Sequence, residues 1–233
     1  MCGRYSLRVS TAELEREFGA DGTGCDWTPR YNVAPTQDVV IVRRAGSGAR
    51  LSLVRWGLVP PWADTPSTGS AMINARAETL TSRAAFRDAF ASRRCLIPAD
   101  AFYEWRRLGR RKQPYRIHAG DDELLAFAGI WDRWAARDGA AVISCAIVTT
   151  DAAELVAPLH DRMPAILGRD ERERWLHRDT PVGELLDLLR PFAGRLQAHP
   201  VSTLINSPDN DGPECAEPDT DALDAAFQLE LGP

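Results

Sequence analysis

Short strand-forming segments separated by turn residues recur along most of this chain. The runs 38–42 and 51–56 flank Ala45-Gly46-Ser47-Gly48, a pattern that predicts a β-hairpin. After a short N-terminal strand, further strands are predicted at 94–98, 101–105, 114–118, 124–131, 141–149 and 163–167. These strands do not alternate regularly with helices, as the strands of a doubly wound sheet would. The sequence therefore predicts an α+β fold, a single domain with a mostly antiparallel, barrel-like β-sheet core flanked by short helices.

A few short helices are predicted between these strands. Ser10 and Glu13 have the spacing of a capping box, and Leu14 and Phe18 follow at i and i+4, which predicts a helix at 10–18 that Gly19 stops. Apolar spacing predicts the remaining helices at 82–92, 170–177 and 181–189.

Charge is distributed unevenly between the two halves of the chain. The formal net charge is -5, which on average disfavours a nucleic-acid partner. Residues 1–116, however, hold 19 Lys and Arg against 11 Asp and Glu, a net charge of +8, whereas residues 117–233 hold 9 against 22, a net charge of -13. Of the 28 basic residues, only Lys112 is a lysine. The acidic, proline-containing stretch 207–219 predicts a mobile late segment.

Simple sequence features disfavour several classes of protein. No apolar run approaches the ~18 residues of a membrane helix, and charges near the N-terminus disfavour a signal peptide, so we expect a cytoplasmic protein with no membrane partner. The five cysteines form no C-x-x-C pair, which disfavours a disulfide framework and a zinc site. P-loop, G-x-G-x-x-G, H-E-x-x-H and G-x-S-x-G motifs are absent. We therefore expect no cofactor and no metal.

The cysteine at position 2 could take part in chemistry that an internal cysteine cannot. If Met1 is removed, Cys2 presents an α-amine and a thiol on adjacent carbons. Their reference pKa values, about 7.7 to 8.0 and about 8.5, leave part of each group nucleophilic near neutrality. Such a 1,2-aminothiol condenses with an aldehyde to an imine and then closes to a five-membered thiazolidine. The alternative is a small residue that follows the initiator and packs inside.

Glu104 is the second residue that could take part in chemistry. It lies between two aromatic residues on a predicted strand, where a buried carboxylate would have a raised pKa. A raised pKa suits a group that transfers protons near neutral pH. An ordinary ion pair with one of the arginines at 106, 107 and 110 explains the same residue equally well.

Six ordered motifs combine polar residues with rigid apolar neighbours. They are Met1-Cys2-Gly3-Arg4-Tyr5, Asn32-Val33-Ala34-Pro35-Thr36, Trp56-Gly57-Leu58-Val59-Pro60, Asn74-Ala75-Arg76-Ala77-Glu78-Thr79, Cys95-Leu96-Ile97-Pro98-Ala99 with Phe102-Tyr103-Glu104-Trp105, and His160-Asp161-Arg162-Met163-Pro164. In order and approximate spacing this set resembles the SOS response-associated peptidase (SRAP) family. The resemblance covers residues 1–208, with Val201-Ser202 and Asn206 similar to a closing strand. It leaves 209–233 as an acidic, partly mobile C-terminal tail.

The resemblance implies a protein that senses abasic sites in single-stranded DNA. It would remove its own Met1 and then form a thiazolidine DNA-protein cross-link through Cys2, with a weak lyase activity. By the same resemblance Asn74 orients the amine and the opened sugar, and Glu104 moves protons. His160 serves as a second acid/base or as an oxyanion stabiliser.

Contacts with DNA are implied by the same matching positions. The phosphate-binding arginines are expected at Arg4, Arg76, Arg83 and Arg162. Pro35 and Trp62 correspond to groups that stack on bases or wedge at a junction between single-stranded and duplex DNA. Ala63 follows Trp62 where some relatives carry a second aromatic, so we expect weaker wedging here. The expected partner is therefore DNA with abasic sites, bound by a monomer.

Two other functions fit part of the same sequence. A non-covalent reader of single-stranded or modified DNA would keep the basic residues and lack the chemistry, and a retained Met1 would indicate it. A cysteine peptidase acting in trans would use Cys2 and His160 as nucleophile and base. This last function would require an open cleft for ordinary peptides.

Overall fold

Strands dominate the part of the chain that the computed structural model describes, residues 2–120, 123–136 and 139–222. The strands are β1 (Tyr5–Leu7), β2 (Ala20–Asp21), β3 (Arg30–Val33), β4 (Asp38–Ala45), β5 (Gly48–Trp56), β6 (Asn74–Arg76), β7 (Arg94–Ala99), β8 (Ala101–Leu108), β9 (Arg111–Ala119), β10 (Leu125–Ala135), β11 (Ala141–Asp151), β12 (Arg162–Pro164) and β13 (Leu196–Pro200). The α-helices are α1 (Thr11–Phe18), α2 (Ala84–Ser92), α3 (Arg169–Leu176) and α4 (Val182–Asp187). The predicted α+β class with a barrel-like, mostly antiparallel sheet is confirmed.

Five strands close into a barrel. Their order is β11-β10-β7-β4-β5, and β5 returns to β11 through the parallel pairs Ser144 with Arg55 and Cys145 with Trp56. The other neighbours within the ring are antiparallel. β6 then continues alongside β11, also in parallel, so the chain leaves β11 after Trp56 and rejoins it at Asn74. The intervening loop, residues 57–73, projects from this end of the barrel.

A second, five-stranded sheet packs beside the barrel in the order β13-β9-β8-β1-β3. The chain crosses from β7 into β8 at Asp100, which is buried. Its carboxylate accepts hydrogen bonds from Ser6 Oγ at 2.7 Å, Arg8 Nε at 2.9 Å and Arg116 Nη2 at 3.1 Å. A buried carboxylate is tolerated when it is hydrogen-bonded and paired in this way. Asp100 therefore ties β1, β8 and β9 together at the crossing.

Trp56 belongs to the core. Its side chain is fully buried, its indole Nε1 donates to the Ile73 carbonyl at 2.9 Å, and its ring lies 5.3 Å from that of Tyr5. Such tilted aromatic pairs add to the energy of burial. The packing joins β5, β1 and the end of the 57–73 loop, so the start of the N-terminal strand is fixed against the barrel.

The predicted helices are all present, with small differences at their ends. Ser10 and Glu13 form the predicted capping box of α1, and Gly19 adopts the left-handed conformation that ends the helix. The helices α2, α3 and α4 match the predictions at 82–92, 170–177 and 181–189 within two residues at each end. In the described ranges, no helix has the length and apolarity to span a bilayer.

Some strands differ from the sequence-based prediction. The short strands β2, β3 and β6 and the late strand β13, with two to five residues each, have no counterpart among the predicted strands. The strand predicted at 163–167 is the shorter β12, and Ile166 adds only an isolated bridge to Phe127. At the closing strand, β13 ends at Pro200, before the predicted position, and Asn206 ends a 3-10 turn.

The acidic stretch 207–219 is packed. Asp211 accepts from the backbone N–H groups of Tyr31 and Asn32 at 2.8 and 2.7 Å, and from Arg30 Nε at 2.6 Å. Cys215 is fully buried, and the Asp219 N–H donates to the Pro200 carbonyl. Asp211 thus supplies acceptors at the free edge of β3, and the mobility of the stretch stays a prediction. Residues 223–233 of the predicted tail lie outside the described residues.

Candidate active site

Cys2 lies where the two sheets meet. Tyr5 pairs with Phe102, and the Tyr103 N–H donates to the Arg4 carbonyl at 3.0 Å, so continuing this register brings Gly3 opposite Glu104. From the barrel side, Asn74 Nδ2 donates to the Cys2 carbonyl oxygen at 2.9 Å. The backbone of Cys2 is thus positioned by β8 on one side and by β6 on the other.

The Cys2 thiol is held in its neutral form. The side chain is fully buried, and burial raises the pKa of the thiol far above its usual value, with the Glu104 carboxylate adding to the effect. The thiol donates a weak hydrogen bond to the Arg4 carbonyl oxygen, at 3.8 Å from Sγ. A thiol in this environment is a poor initial nucleophile, because the thiolate is the reactive form.

Asn74 combines one satisfied and one unsatisfied polar atom. Its Nδ2 is bonded to Cys2, whereas its buried Oδ1 has no hydrogen-bond partner in the described ranges. An unsatisfied buried acceptor costs free energy unless a ligand or a new donor reaches it. Oδ1 is therefore available to a donor that arrives near the Cys2 backbone.

Glu104 is a buried carboxyl close to the thiol. It is 4% exposed, and burial raises its pKa to about 7, with a further upward contribution from the Asp161 carboxylate. Arg107 and Arg110, two of the arginines considered as ion-pair partners of Glu104, lie toward the exposed end of the β8–β9 hairpin. A group with this pKa exchanges protons readily near neutral pH in either direction.

His160 lies at the start of the segment that carries Arg162. Its Nδ1 accepts from the Arg162 N–H at 2.9 Å, and the same atom is 2.8 Å from Asp161 Oδ1. An unprotonated Nδ1 satisfies the first contact, and a protonated Nδ1 the second. Burial lowers the pKa of His160, which favours the neutral ring, and the bond from the Arg162 N–H to Nδ1 then places the ring proton on Nε2.

Arg162 is buried in a cluster of carboxylates. Its guanidinium makes a bidentate pair with Glu78 and a second ion pair with Asp151 at 2.8 Å, and Nη2 also donates to the Thr149 carbonyl. Glu78 and Asp151 are both largely exposed. Arg162 therefore joins the turn after β6 to β11 and β12, and a phosphate would compete with two carboxylates for it.

Arg4 is half-buried and engaged with other parts of the chain. Its Nη1 donates to Asn32 Oδ1 at 2.7 Å and to the Ile205 carbonyl, and its Nη2 lies 3.4 Å from the Asn206 carbonyl oxygen. Asn32 in turn donates to the carbonyls of Ser207 and Asn210. Arg4 and Asn32 thus fasten the 205–210 segment beside the strand that leads to Cys2.

Arg76 and Arg83 are the exposed members of the predicted phosphate-binding set. Arg76 ends β6, two residues after Asn74, and makes no side-chain hydrogen bond or ion pair with the described residues. The Arg83 guanidinium stands 5.0 Å from the centre of the Phe86 ring at the start of α2. Arg76 is therefore the predicted arginine nearest Asn74 in the chain with an uncommitted guanidinium.

The loops of Pro35 and Trp62 are adjacent. The Thr36 N–H donates to the Trp56 carbonyl at 2.8 Å, next to the point where the 57–73 loop begins. Thr36 has a φ of 72°, an uncommon conformation for a non-glycine residue, and it follows the half-buried Pro35. Trp62 is 62% exposed at the other end of this surface. The two predicted stacking groups therefore share the end of the barrel that carries Asn74.

The loop that carries Trp62 depends on a close approach of two glycines. A Cβ on Gly69 would lie 2.3 Å from the Gly57 carbonyl oxygen, and Gly57 has a φ of 122°. We expect Gly69→Ala to displace the loop and to lower the free energy of unfolding by about 1 to 3 kcal/mol. Thermal unfolding measures this change. Gly183→Ala is the matched control, because a Cβ there meets open space; equal stability of the two variants would contradict the expectation.

All five cysteines are buried and free of disulfides. Cys95 and Cys145 are both fully covered within strands. Cys25 and Cys215 lie outside the strands and are covered as well, with 5% and 0% exposure. Their burial comes from the packing of α1 and of the late segment, which local sequence does not report.

Three residues that organise the site were given no role by the sequence analysis. Asn32 belongs to a recognised motif, and a polar residue just before an apolar Val-Ala-Pro run is a usable signal of a buried hydrogen-bonding role. Asp100 and Asp211 carry no such local signal, since their partners lie 16 to 181 residues away.

Comparison with known proteins gives a consistent result over most of the chain. A family model described as SOS response associated peptidase (SRAP) matches residues 1–208. The chain is 42% identical over 222 residues to "Abasic site processing protein YoqW" of Bacillus subtilis, covering 93% of this chain and 99% of that protein. It is 36% identical over 262 residues to "Abasic site processing protein HMCES" of Gallus gallus, covering 94% and 78% respectively.

Solved structures show the same fold. A crystal structure of a protein from Bacteroides thetaiotaomicron superposes with a TM-score of 0.85 at 26% identity, covering 94% of this chain and 100% of that one. A protein from Bordetella bronchiseptica gives a TM-score of 0.74 at 28% identity, covering 86% and 100%.

Proposed function

The chain belongs to the SOS response associated peptidase family, and from this membership we propose that it processes abasic sites in single-stranded DNA by trapping them on Cys2. Similar proteins from Bacillus subtilis and Gallus gallus carry the name abasic site processing protein. An abasic deoxyribose opens to an aldehyde, which is the electrophile that a 1,2-aminothiol captures.

One arrangement carries the proposal: the Cys2 carbonyl is held by Asn74 Nδ2 at 2.9 Å, beside a buried Glu104 whose pKa is about 7. This arrangement fixes the backbone next to the future amine and supplies a proton carrier for it. Asn74 Oδ1 is then the acceptor that orients the α-amine of Cys2 once Met1 is gone. Removal of Met1 is hydrolysis of one peptide bond by one water molecule.

The trapping steps balance with loss of one water molecule. The neutral amine of Cys2 attacks the aldehyde carbon, and Glu104 protonates the departing hydroxyl as the imine forms. The thiol then adds to the imine carbon through sulfur, and its proton passes to the nitrogen, closing the thiazolidine. The high pKa of the thiol makes the amine the first nucleophile. His160, neutral with a proton on Nε2, assists opening of the sugar.

The imine also permits a side reaction. Loss of the proton next to the imine carbon expels the 3′ phosphate by β-elimination, which cleaves the strand. Ring closure by the thiol removes the imine and competes with this cleavage. We therefore propose that lyase activity is weak while Cys2 is intact.

DNA contacts are proposed for the surface around this centre. The phosphate-binding residues are Arg4, Arg76, Arg83 and Arg162, and the stacking groups are Pro35 and Trp62. The exposed indole of Trp62 and the uncommitted guanidinium of Arg76 support direct contact. Arg4 and Arg162 must exchange internal partners to reach a phosphate.

The test is covalent capture by the mature protein. Protein lacking Met1 is mixed with a single-stranded oligonucleotide that bears one abasic site, and heat-resistant adduct is followed on a denaturing gel. An oligonucleotide with a tetrahydrofuran in place of the abasic sugar is the control, since it has no aldehyde. Binding of both strands with no adduct to either would contradict the proposal and leave a non-covalent reader. Cleavage of ordinary peptides without formation of the DNA adduct would indicate a peptidase acting in trans.

Arg76→Gln is expected to weaken DNA binding without removing the chemistry. Loss of one phosphate contact reduces the slope of log affinity against log salt by about 0.7 for a single strand. Fluorescence anisotropy with a strand that lacks an abasic site measures this slope. Arg107→Gln, an equal charge change on the β8–β9 hairpin, is the control, and an unchanged slope for Arg76→Gln would remove Arg76 from the DNA site.

A further inference from the structure

A cleft lined by arginines lies outside the Cys2 site. It has a volume of about 440 Å³, and its wall is formed by two small residues at the end of α2 together with Arg44, Arg93, Arg94, Trp131, Leu176 and Arg178. Four of the eight lining residues are arginines and none is acidic, in a chain whose net charge is -5. The positive lining is therefore local and runs against the overall charge.

The cleft and the Cys2 site are at opposite ends of the β4–β5 hairpin. Asp38 begins β4 beside Arg55, next to Trp56 and the start of the Trp62 loop. Arg44 lies six residues further along β4, about 20 Å away at the usual rise of a strand. A ligand in the cleft therefore does not compete for the groups around Cys2.

The four arginines differ in how far they are already engaged. Arg94 is buried, and it donates to carbonyls at the C-terminal ends of α2 and α3, among them those of Phe90 and His177. It adds positive potential without a free donor. Arg93 is paired with the buried Asp132 at 3.0 Å, yet its Nε has no partner in the described ranges.

Arg44 and Arg178 are the residues that can bind a ligand directly. Both are exposed, and neither side chain makes a hydrogen bond or an ion pair with the described part of the chain. They approach the cleft from two elements, the end of β4 and the segment after α3. Trp131 forms a wall between them, with the Arg43 guanidinium 5.2 Å from its ring centre.

On one side of the cleft, carboxylates offset the charge of the arginines. Beyond Arg44 and Leu176 the cleft adjoins a depression of about 340 Å³ between α1, α3 and the hairpin. That depression contains Glu17 and Glu173, and Glu17 is paired with Arg169 and Arg172. Its two glutamates offset two of its three arginines, Arg44, Arg169 and Arg172, whereas the unpaired Arg44 and Arg178 both line the cleft, so the uncompensated guanidinium groups lie in the cleft itself.

We infer that this arginine cleft is a second nucleic-acid site, which binds a phosphodiester segment of single-stranded DNA away from Cys2. The inference rests on the proposed function for the choice of DNA as the polyanion. Forked guanidinium groups match phosphate oxygens in pairs. The volume exceeds that of one phosphate, and the free arginines approach from separate elements, which suits a chain of phosphates better than a single ion.

The test compares two double variants of the full chain. Arg44→Gln with Arg178→Gln removes both free guanidinium groups, and Arg107→Gln with Arg110→Gln makes the same charge change on the β8–β9 hairpin. The probe is fluorescein-labelled oligothymidylate, which has no abasic site. We expect the cleft variant to bind about 10-fold more weakly at low salt, with a salt slope reduced by about 1.4, relative to the control variant.

Two results would overturn the inference. The first is equal affinity and equal salt slope for the two double variants. The second is calorimetric binding of inorganic phosphate that the cleft variant alone loses, with strand affinity unchanged, which would make the cleft a small-anion site. Adduct formation at saturating abasic strand tests the proposed function separately, and we expect it to be unchanged in the cleft variant.

Discussion

Replacing Cys2 by alanine is expected to abolish the heat-resistant adduct with an abasic strand. Alanine at position 2 keeps an α-amine if Met1 is removed, but it has no sulfur to close the ring. The imine that remains is reversible and is hydrolysed on heating. A denaturing gel after heating, with intact mass of the protein band, measures the loss. Cys25→Ala is the matched control, because it removes a buried thiol far along the chain and should leave the adduct unchanged.

Cys2→Ser separates the two nucleophiles. Serine keeps the amine and offers an oxygen that closes a less stable ring, so imine chemistry and strand cleavage should persist while the heat-resistant adduct disappears. The chain has one other primary amine, Lys112, on β9. Lys112→Arg should have no effect. A full yield of heat-resistant adduct from Cys2→Ala would show that the trapping group is elsewhere.

Glu104→Gln is expected to slow adduct formation by about 100- to 10,000-fold, the range for loss of a general acid-base group. Glutamine is similar in size and fills the same buried position, but it carries no proton to transfer. With a pKa of about 7, Glu104 should also give the wild-type rate a titration near neutrality. Single-turnover rates between pH 5 and 9 measure both effects, and a Glu104→Gln variant that keeps the titration and the rate would exclude this role.

The same substitution, although it slows the reaction, is expected to raise the free energy of unfolding at pH 8. The pKa of Glu104 is about 7 in the folded chain and near 4.5 in the unfolded one, so the folded state holds its proton more tightly. Wild-type stability therefore falls as the pH rises from 4.5 through 7, by up to about 3 kcal/mol. Glu104→Gln lacks this loss and should be the more stable protein at pH 8. Denaturant unfolding at pH 5 and 8 measures the difference, and equal pH dependence of the two proteins would contradict the burial of a charge at this position.

Local signals account for the parts of the fold that sequence predicts well. The capping box of Ser10 and Glu13 fixes the start of α1, and Gly46 and Gly48 mark the turn of the β4–β5 hairpin. Each of these depends on residues within a few positions of one another. The strand-rich pattern then suffices for the fold class.

Long-range pairings account for what sequence did not predict. Closure of the barrel depends on the parallel register of β5 against β11, and β6 continues that register outside the ring; the paired residues are 73 to 89 positions apart. The contacts of the 207–219 stretch depend on Asp211 reaching β3, which the acidic composition of the stretch does not indicate. A pairing of this kind has no local signature.

The candidate site shows the same division. Motif matching predicts roles for Cys2, Asn74 and Glu104, and the structure brings Asn74 into contact with Cys2. Motif matching does not indicate that Arg4 binds Asn32 and the 205–206 carbonyls. Nor does it indicate that Arg162 is held by Glu78 and Asp151. Their roles toward DNA stay predictions, because these internal bonds compete with phosphate.

The most direct test of the thiazolidine mechanism is the mass of the N-terminal tryptic peptide after capture of an abasic strand. Trypsin cleaves after Arg4, so the processed chain releases Cys2-Gly3-Arg4. The mechanism predicts that this tripeptide carries the abasic strand with loss of one water, and that neither its amine nor its thiol reacts with labelling reagents. Sugar on the Lys112 peptide, a thiol that still alkylates, or an adduct on a chain that retains Met1 would contradict it.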